Sequence, residues 1–183
     1  RSDIYLEETN TTIKPIAFNA KKSDGFNPQL VICDEMAAWS GDGGLKQYEV
    51  MKSALGARRQ PMILSISTAG YINDSIYDEL MKRATSFLKG NSKERRLLPF
   101  LYIIDDVEKW NDITELKKAN PNMGVSVQEG FFKDEIAVAE GSLSKKAEFL
   151  TKYCNIKQNS SVAWLEYTLV DKASEESTLE DFR

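Results

Sequence analysis

The first half of the chain alternates short apolar segments with amphipathic ones. QLVICD (29–34) and PMILSIS (61–67) are almost continuously apolar, a pattern typical of strands buried on both faces of a parallel sheet. A further strand is predicted over 12–20, where β-branched and aromatic residues cluster. Apolar residues recur at helical spacing over 45–55 and again over 76–88. This order predicts an α/β fold with a mostly parallel sheet and flanking helices.

The second half of the chain has a different pattern. LLPFLYIIDD (97–106) predicts one more strand, because it is rich in apolar and aromatic residues. Shorter helices are predicted at about 114–119, 129–140 and 144–153, with turn residues between them. This part of the chain therefore reads as a small, mainly helical subdomain.

The amino-acid composition excludes several kinds of catalytic and metal site. The 183 residues contain no histidine, which excludes a Ser-His-Asp or Cys-His nucleophile and a His-ligated zinc site within this chain. Cys33 and Cys154 are too few for a zinc site made of cysteines alone, and Cys33 is predicted to be a buried thiol. The net charge of −4 predicts that any contact with nucleic acid is local.

An acidic pair follows the first of the two apolar strands. In LVICDEMAAW, Asp34 and Glu35 stand directly after the strand, and Ser67 and Thr68 end the next one. Because ligands bind beyond the carboxyl ends of parallel strands, neighbouring strands would bring these four side chains to one crevice. A strand-end aspartate suits magnesium binding, and an adjacent carboxylate can orient the attacking water in phosphoryl transfer. The same two acids would also suit the first turn of a helix.

The segment GDGGLKQ (41–47) superficially resembles a phosphate-binding loop. A P-loop has the pattern G-x-x-x-x-G-K-[ST], but Lys46 lacks a preceding glycine and is followed by Gln47. We therefore expect a flexible connection there. If the protein is an ATPase, its phosphate-holding loop is expected before Arg1, and the chain is then a piece of a longer protein.

Other candidate residues carry weaker signals. Asp112, Glu115 and Lys117 match the loose D…E-x-K pattern of metal-dependent nucleases, although a solvated helix face is the favoured interpretation. Arg58 and Arg59 could act as an arginine finger toward a neighbouring subunit, or simply follow a helix C-terminus. The tryptophans are predicted to be packing residues: Trp39, Trp110 and Trp164.

Four motifs in succession resemble a known family. DGFNPQLVICDEMAAW, QPMILSISTAG, KKANPNMGVSV and FLTKYCNIKQNSSVAWL, spread from about residue 10 to about residue 168, are similar to the large terminase subunit of tailed bacteriophages. These proteins are motors that package viral DNA into procapsids. The resemblance implies an N-terminal P-loop ATPase domain, a linker subdomain and a nuclease domain resembling ribonuclease H.

The resemblance also implies roles for individual residues. Asp34 matches the Walker-B aspartate that binds the metal, and Glu35 matches the glutamate that activates water. The coupling motif, which relays the nucleotide state to DNA movement, is matched by four residues: Ser67, Thr68, Ala69 and Gly70. No nuclease residue can be assigned.

The same resemblance predicts domains and partners. Residues 1–90 would be the C-terminal part of the ATPase domain, 91–163 the linker subdomain and 164–183 a connector toward a nuclease domain. The complete protein, from a phage or prophage, is expected to use Mg²⁺ and ATP. Its expected partners are double-stranded DNA, the terminase small subunit, the portal protein and further copies in a ring, all in the bacterial cytoplasm with no membrane. Because these 183 residues carry no Walker-A pattern, we expect no ATP turnover from them alone.

Two alternative functions remain open from the sequence. A helicase-like nucleic-acid translocase would share the acidic pair and the strand ending in Ser67-Thr68-Ala69-Gly70. A non-enzymatic α/β interaction module would use Asp34 and Glu35 only to begin a helix. In such a module the two carboxylates should face solvent at a helix start, whereas in a motor they should converge with Ser67 on one cleft.

Overall fold

The protein forms two compact units. The structure, a computed structural model, describes four stretches of the chain: 3–17, 25–39, 41–71 and 74–158. The N-terminal unit consists of residues 1–67 and 74–85, and the C-terminal unit of residues 68–73 and 86–183. Each unit has its own cluster of buried side chains.

The N-terminal unit begins with a small antiparallel hairpin. Strand β1 (Ile4–Leu6) pairs with β2 (Thr11–Ile13). Strand β2 covers only the start of the strand predicted over 12–20. Residues 14–17 form no strand, and Pro15 among them has no N–H to donate to a ladder. The rest of that prediction lies outside the described residues.

Two parallel strands form the centre of the N-terminal unit. Strand β3 (Leu30–Cys33) pairs in parallel with β4 (Met62–Ser65), in a register that sets Leu30 beside Met62 and Cys33 beside Ser65. Helix α1 (Gly41–Ala54) lies between them in sequence, and α2 (Ile76–Leu88) follows β4. This order confirms the predicted α/β fold with parallel strands and flanking helices.

Both helices cover the same face of the β3–β4 sheet. The buried cluster contains residues from the strands, the loop after β3 and both helices: Cys33, Met36, Tyr48 and Ile76, with Val31, Trp39, Leu45, Ile63 and Leu80 packed against them. Apolar side chains on the opposite face are exposed to solvent: Leu30, Ile32, Met62 and Leu64. Parallel sheets are normally covered on both faces, so the described residues cover only half of this sheet.

The prediction of a flexible connection over 41–47 is wrong. Helix α1 begins at Gly41 and includes all of these residues. Asp42 in its first turn suits the positive end of the helix dipole. Gly44 is buried, so this glycine serves close packing rather than flexibility.

The C-terminal unit is mainly helical, as predicted. It contains α3 (Ile113–Ala119), α4 (Glu129–Glu140) and α5 (Leu143–Lys152). The strand predicted over 97–106 is wrong, because the structure assigns no strand to these residues. The main chain there makes isolated hydrogen bonds instead of a ladder, such as the one from Ile104 N to the Cys154 carbonyl at 3.4 Å. Pro99 also has no backbone N–H to donate to a neighbouring strand.

Aromatic packing defines the core of the C-terminal unit. Trp110 and Phe149 meet edge to face, with ring centroids 5.5 Å apart, and Phe149 and Tyr153 lie 5.0 Å apart. Leu116 and Cys154 are fully buried beside them. Burial raises the pKa of the Cys154 thiol to about 12. Trp110 is therefore a packing residue, as predicted, whereas Trp164 lies outside the described residues.

Glu115 is a buried carboxylate with a structural role. It accepts the backbone N–H groups of Asp105 and Asp106 and lies 2.7 Å from the ammonium of Lys118. The hydrogen bond from Lys118 is the largest cause that lowers the pKa of Glu115, and the two backbone donors add to it. The expected solvated face is therefore corrected at this residue.

The other members of the nuclease-like pattern are also accounted for. The Asp112 carboxylate caps α3 by accepting the Thr114 N–H at 2.7 Å. Lys117 forms an ion pair with Glu129 at 2.6 Å. The Asp112 cap stabilises the start of α3, and the Lys117–Glu129 pair joins α3 to α4 at an exposed position, where ion pairs contribute little to stability. Among the described residues, no helix is both long and apolar enough to cross a membrane.

We predict that Glu115 makes the stability of the C-terminal unit pH-dependent. Because folding lowers its pKa, its contribution is full above the ordinary pKa of 4.5 and is lost as the pH falls through the lowered value. Glu115→Gln should reduce stability at pH 7 and flatten its dependence between pH 7 and 3, measured by urea unfolding. Asp134→Asn on α4 is the surface control. An unchanged pH dependence in Glu115→Gln would contradict this assignment.

Candidate functional site at the ends of the parallel strands

Hydrogen bonding between the two strands continues past their ends. Ile66 N donates to the Cys33 carbonyl at 2.8 Å, and Met36 N donates to the Ile66 carbonyl at 3.4 Å. One residue further on, Ala37 N donates to the Ser67 hydroxyl oxygen at 2.9 Å. The loop that carries the acidic pair is therefore bound to the segment that begins the Ser-Thr-Ala-Gly sequence. The predicted convergence of the strand ends is present in the backbone.

The acidic pair lies in this loop with both carboxylates exposed. Asp34 accepts the Glu35 N–H on its own carboxylate at 3.0 Å. The Asp34 main-chain carbonyl accepts the indole N–H of Trp39 at 3.1 Å. These two bonds fix the backbone at the end of β3 and leave carboxylate oxygens facing solvent. Exposed carboxylates were the expectation for a non-enzymatic interaction module. The hydrogen bonds between the two strand ends were the expectation for a motor.

Glu35 adopts a conformation that glutamate rarely takes. Its φ of 51° and ψ of 44° lie in the left-handed region, which costs a residue with a Cβ roughly 1–2 kcal/mol. A 3₁₀ turn over Met36–Ala38 follows it, and no hydrogen bond from the Glu35 side chain caps that turn. A role in capping the following helical turn therefore does not explain the glutamate at position 35. Strain of this kind concentrates at functional sites.

Trp39 supports the acidic loop from behind. Its indole bonds to Asp34, while its Cβ and carbonyl lie against Gly44 of α1, where an added Cβ would meet them at 3.0 and 3.1 Å. The sequence predicted only a packing role for Trp39. Its contact with the acidic loop depends on a side chain that reaches back five residues, for which the periodicity of the sequence gives no signal.

The four residues of the coupling motif divide between the two units. Ser67 belongs to the N-terminal unit, and Thr68, Ala69 and Gly70 belong to the C-terminal unit. Ser67 and Thr68 are exposed, whereas Ala69 is buried. The structure thus holds Asp34, Glu35 and Ser67 in the N-terminal unit and the last three motif residues in the C-terminal unit.

The two candidate arginines lie in the N-terminal unit, before β4. The Arg58 guanidinium donates twice to the Asn27 carbonyl, at 2.6 and 3.2 Å. Arg59 is exposed. Arg58 therefore has an intramolecular role that ties the loop before β3 to the turn before β4. An arginine-finger function for either residue stays a prediction.

The donor set at the strand ends fits a magnesium ion. Across 3–17, 25–39, 41–71 and 74–158, no group of three or more His, Cys, Asp or Glu residues could hold a metal by itself. Magnesium is commonly bound by one or two carboxylates, with waters and substrate phosphates completing the shell. Asp34 and Glu35 provide oxygen donors of that kind. The thiol of the preceding residue, Cys33, is buried, and burial raises its pKa to about 11.

Two family models match this chain, one in each half. A model of the ATPase domain of the terminase large subunit matches residues 1–86, and a model of the endonuclease domain of the same subunit matches residues 93–179. An α/β unit with an acidic pair at parallel strand ends agrees with the first match. The chain belongs to the terminase large subunit family.

Two individual proteins are similar to this chain. Protein YmfN of Escherichia coli (strain K12) is 32% identical over 164 residues, which are 88% of this chain and 35% of that protein. The HK97 bacteriophage large terminase, known from a crystal structure, is 18% identical and covers 73% of this chain with a TM-score of 0.59; the match spans 26% of the solved chain. The structural likeness supports the fold. The chain spans about a third of the length of YmfN.

The endonuclease match overlaps the segment expected to be the linker. That match begins at residue 93, whereas the sequence assigned 91–163 to the linker subdomain and 164–183 to a connector. The border between linker and nuclease stays a prediction. Asp112, Glu115 and Lys117 all have structural partners, and no nuclease residue is assigned.

We predict that Gly44→Ala disturbs the acidic loop through Trp39. The new Cβ would meet the Trp39 backbone, so the substitution should cost about 1–3 kcal/mol of unfolding free energy, as overpacking does. Gly56→Ala is the matched control, because nothing lies within 4 Å of its Cβ position. Urea unfolding followed by tryptophan fluorescence measures both. Equal stability of the two variants would show that the contact with Trp39 is not tight.

We predict that Glu35 stores backbone strain. Glu35→Gly should be more stable than Glu35→Ala by about 1 kcal/mol, because only glycine adopts the left-handed region without cost. Both variants lack the carboxylate, so their difference isolates the backbone. Urea unfolding midpoints measure it, and identical midpoints would contradict the left-handed conformation at residue 35.

Proposed function

We propose that this chain is part of the ATP-driven DNA-packaging motor of a tailed phage or prophage. The complete protein would hydrolyse Mg-ATP to move double-stranded DNA into procapsids, and would also cut the DNA. The single observation that carries this proposal is the bonded pair of strand ends. It places an exposed Asp-Glu pair beside Ser67, in a family whose ATPase model covers the same residues.

Asp34 and Glu35 have distinct roles in this proposal. Asp34 would hold Mg²⁺, which when bound neutralises charge on the phosphates. The Glu35 carboxylate would accept a hydrogen bond from the attacking water and orient it. The left-handed backbone at Glu35 and the bond from Trp39 to Asp34 would fix these positions before substrate binds. A preorganised arrangement of this kind is how phosphoryl transfer is catalysed.

Ser67 would connect the acidic loop to the rest of the coupling motif. Its hydroxyl oxygen accepts the Ala37 N–H, two residues after Glu35. A shift of the acidic loop would therefore be felt at Ser67 and passed along Thr68, Ala69 and Gly70. This is the coupling role proposed for the four residues.

The partners proposed are those of a packaging motor. They are double-stranded DNA, the terminase small subunit, the portal protein and further copies of the protein in a ring, in the cytoplasm of the bacterial host. The phosphates of ATP would be held by a P-loop, a pattern that these 183 residues do not contain. Arg59, exposed before β4, is the better candidate for an arginine finger, because Arg58 bonds to Asn27.

The domain proposal places its first border at residue 90, close to residue 85, where the N-terminal compact unit ends; it differs from the two units in keeping residues 68–73 with the ATPase domain. Residues 1–90 would be the C-terminal part of the ATPase domain, 91–163 a linker subdomain and 164–183 a connector toward the nuclease. The helical character of the C-terminal unit supports a linker. The match of the endonuclease model to residues 93–179 favours a terminase over a helicase-like translocase.

We predict that Glu35→Gln in the full-length protein abolishes turnover and preserves nucleotide binding. The amide keeps the shape and removes the charge that orients water, so ATP hydrolysis should fall by at least about 10²-fold. A coupled ATPase assay and fluorescent-nucleotide binding measure the two quantities. Glu49→Gln, at an exposed position on α1, is the control and should hydrolyse ATP normally. Normal hydrolysis by Glu35→Gln would show that Glu35 is not catalytic and would favour the hypothesis of a non-enzymatic interaction module.

A further inference from the structure

Three separate segments of the C-terminal unit meet at Asn155. Its amide oxygen accepts the backbone N–H of Ala69 at 3.3 Å. Its amide nitrogen donates to the main-chain carbonyl of Tyr102 at 2.8 Å. One side chain thus joins the coupling motif, the segment after residue 97 and the chain beyond α5.

Neighbouring bonds strengthen this junction. Gln158 N donates to the Gly70 carbonyl at 3.3 Å, and Ile104 N donates to the Cys154 carbonyl at 3.4 Å. Cys154 is fully buried and Ala69 is 4% exposed. The chain on both sides of Asn155 is therefore hydrogen-bonded to another segment, and the bond from Ala69 to Asn155 is itself partly buried.

The backbone at Asn155 suits asparagine specifically. Its φ of 55° lies in the left-handed region, which asparagine tolerates better than other residues that carry a Cβ. The amide is also a neutral side chain that can accept one hydrogen bond on its oxygen and donate another from its nitrogen. Aspartate could only accept at neutral pH, and glycine could do neither.

We propose that Asn155 is a positioning residue that fixes the coupling motif within the C-terminal unit. The inference rests on the proposed function, because it assigns a role to the motif at 67–70. Ser67 bonds to the loop of the acidic pair, and Ala69 bonds to Asn155. Thr68 alone separates them in the chain. Movement that begins at the acidic loop would reach Asn155 through a single residue.

A simpler role for Asn155 would be to form a turn after α5. In that case its φ would matter and its side chain would not. Asn155→Gly separates the two roles, since glycine keeps the conformation and removes both hydrogen bonds. Asn10→Gly is the matched control: Asn10 has a φ of 50° and accepts a hydrogen bond from the Tyr5 hydroxyl at 3.0 Å in the hairpin of the other unit.

The first experiment measures amide hydrogen exchange in the 183-residue chain and requires no ATP. Asn155→Gly should speed exchange at Ala69 by about fivefold, the effect of one lost hydrogen bond. Asn155→Asp should be intermediate, since it keeps an acceptor for Ala69 but loses the donor to Tyr102. Asn10→Gly should leave Ala69 unchanged. Wild-type exchange at Ala69 in Asn155→Gly would overturn the proposal.

The second experiment measures base pairs packaged per ATP hydrolysed by the full-length protein with procapsids. Asn155→Gly should lower this ratio while ATP hydrolysis itself continues. A merely structural role would lower both quantities together, and that result would overturn the proposal, as would an unchanged ratio. Loss of the proposed function is recognised separately, because it appears as normal turnover in Glu35→Gln and leaves the exchange result at Ala69 intact.

Discussion

The parallel pairing of β3 and β4 is the constraint on which the candidate site depends. Four paired positions fix the register, and the bonds from Ile66 to Cys33 and from Ala37 to Ser67 extend it beyond the strands. A slip of one residue would turn every side chain of a strand to the opposite face. It would therefore expose the buried cluster and separate the acidic loop from Ser67 at once. Packing and chemistry are set by the same hydrogen bonds.

Much of this arrangement could be predicted from the sequence, because its signals are local. The apolar runs gave β3 and β4, and helical periodicity gave α2 and α4 with their observed bounds. The position of Asp34 and Glu35 at a strand end followed from the same patterns. Burial of Cys33 and Cys154 as free thiols also agrees with the composition. Each of these features depends on residues within a few positions of one another.

What could not be predicted depends on contacts between distant segments. The glycines at 41–44 suggested a loop, but they lie in helix α1, where Gly44 packs closely against Trp39. The apolar run after residue 97 suggested a strand, but its main chain bonds to residues 154 and 155 instead of to a ladder. The hydrophobic periodicity of the sequence carries no signal for the left-handed backbone at Glu35 or for the junction at Asn155. Hydrogen bonds from a side chain to a distant part of the backbone cannot be predicted from such periodicity.

The two cysteines provide the molecule with built-in reporters. Cys33 lies 1% exposed in the core beneath the acidic loop, and Cys154 lies fully buried next to Asn155. Since the chain has two cysteines, one in each unit, a thiol reagent can modify each sulfur only when its own unit opens. The labelling rates, resolved by mass spectrometry of the peptides, would compare local opening in the two units without any engineered probe. The same measurement made with nucleotide or DNA present would show which unit each ligand tightens.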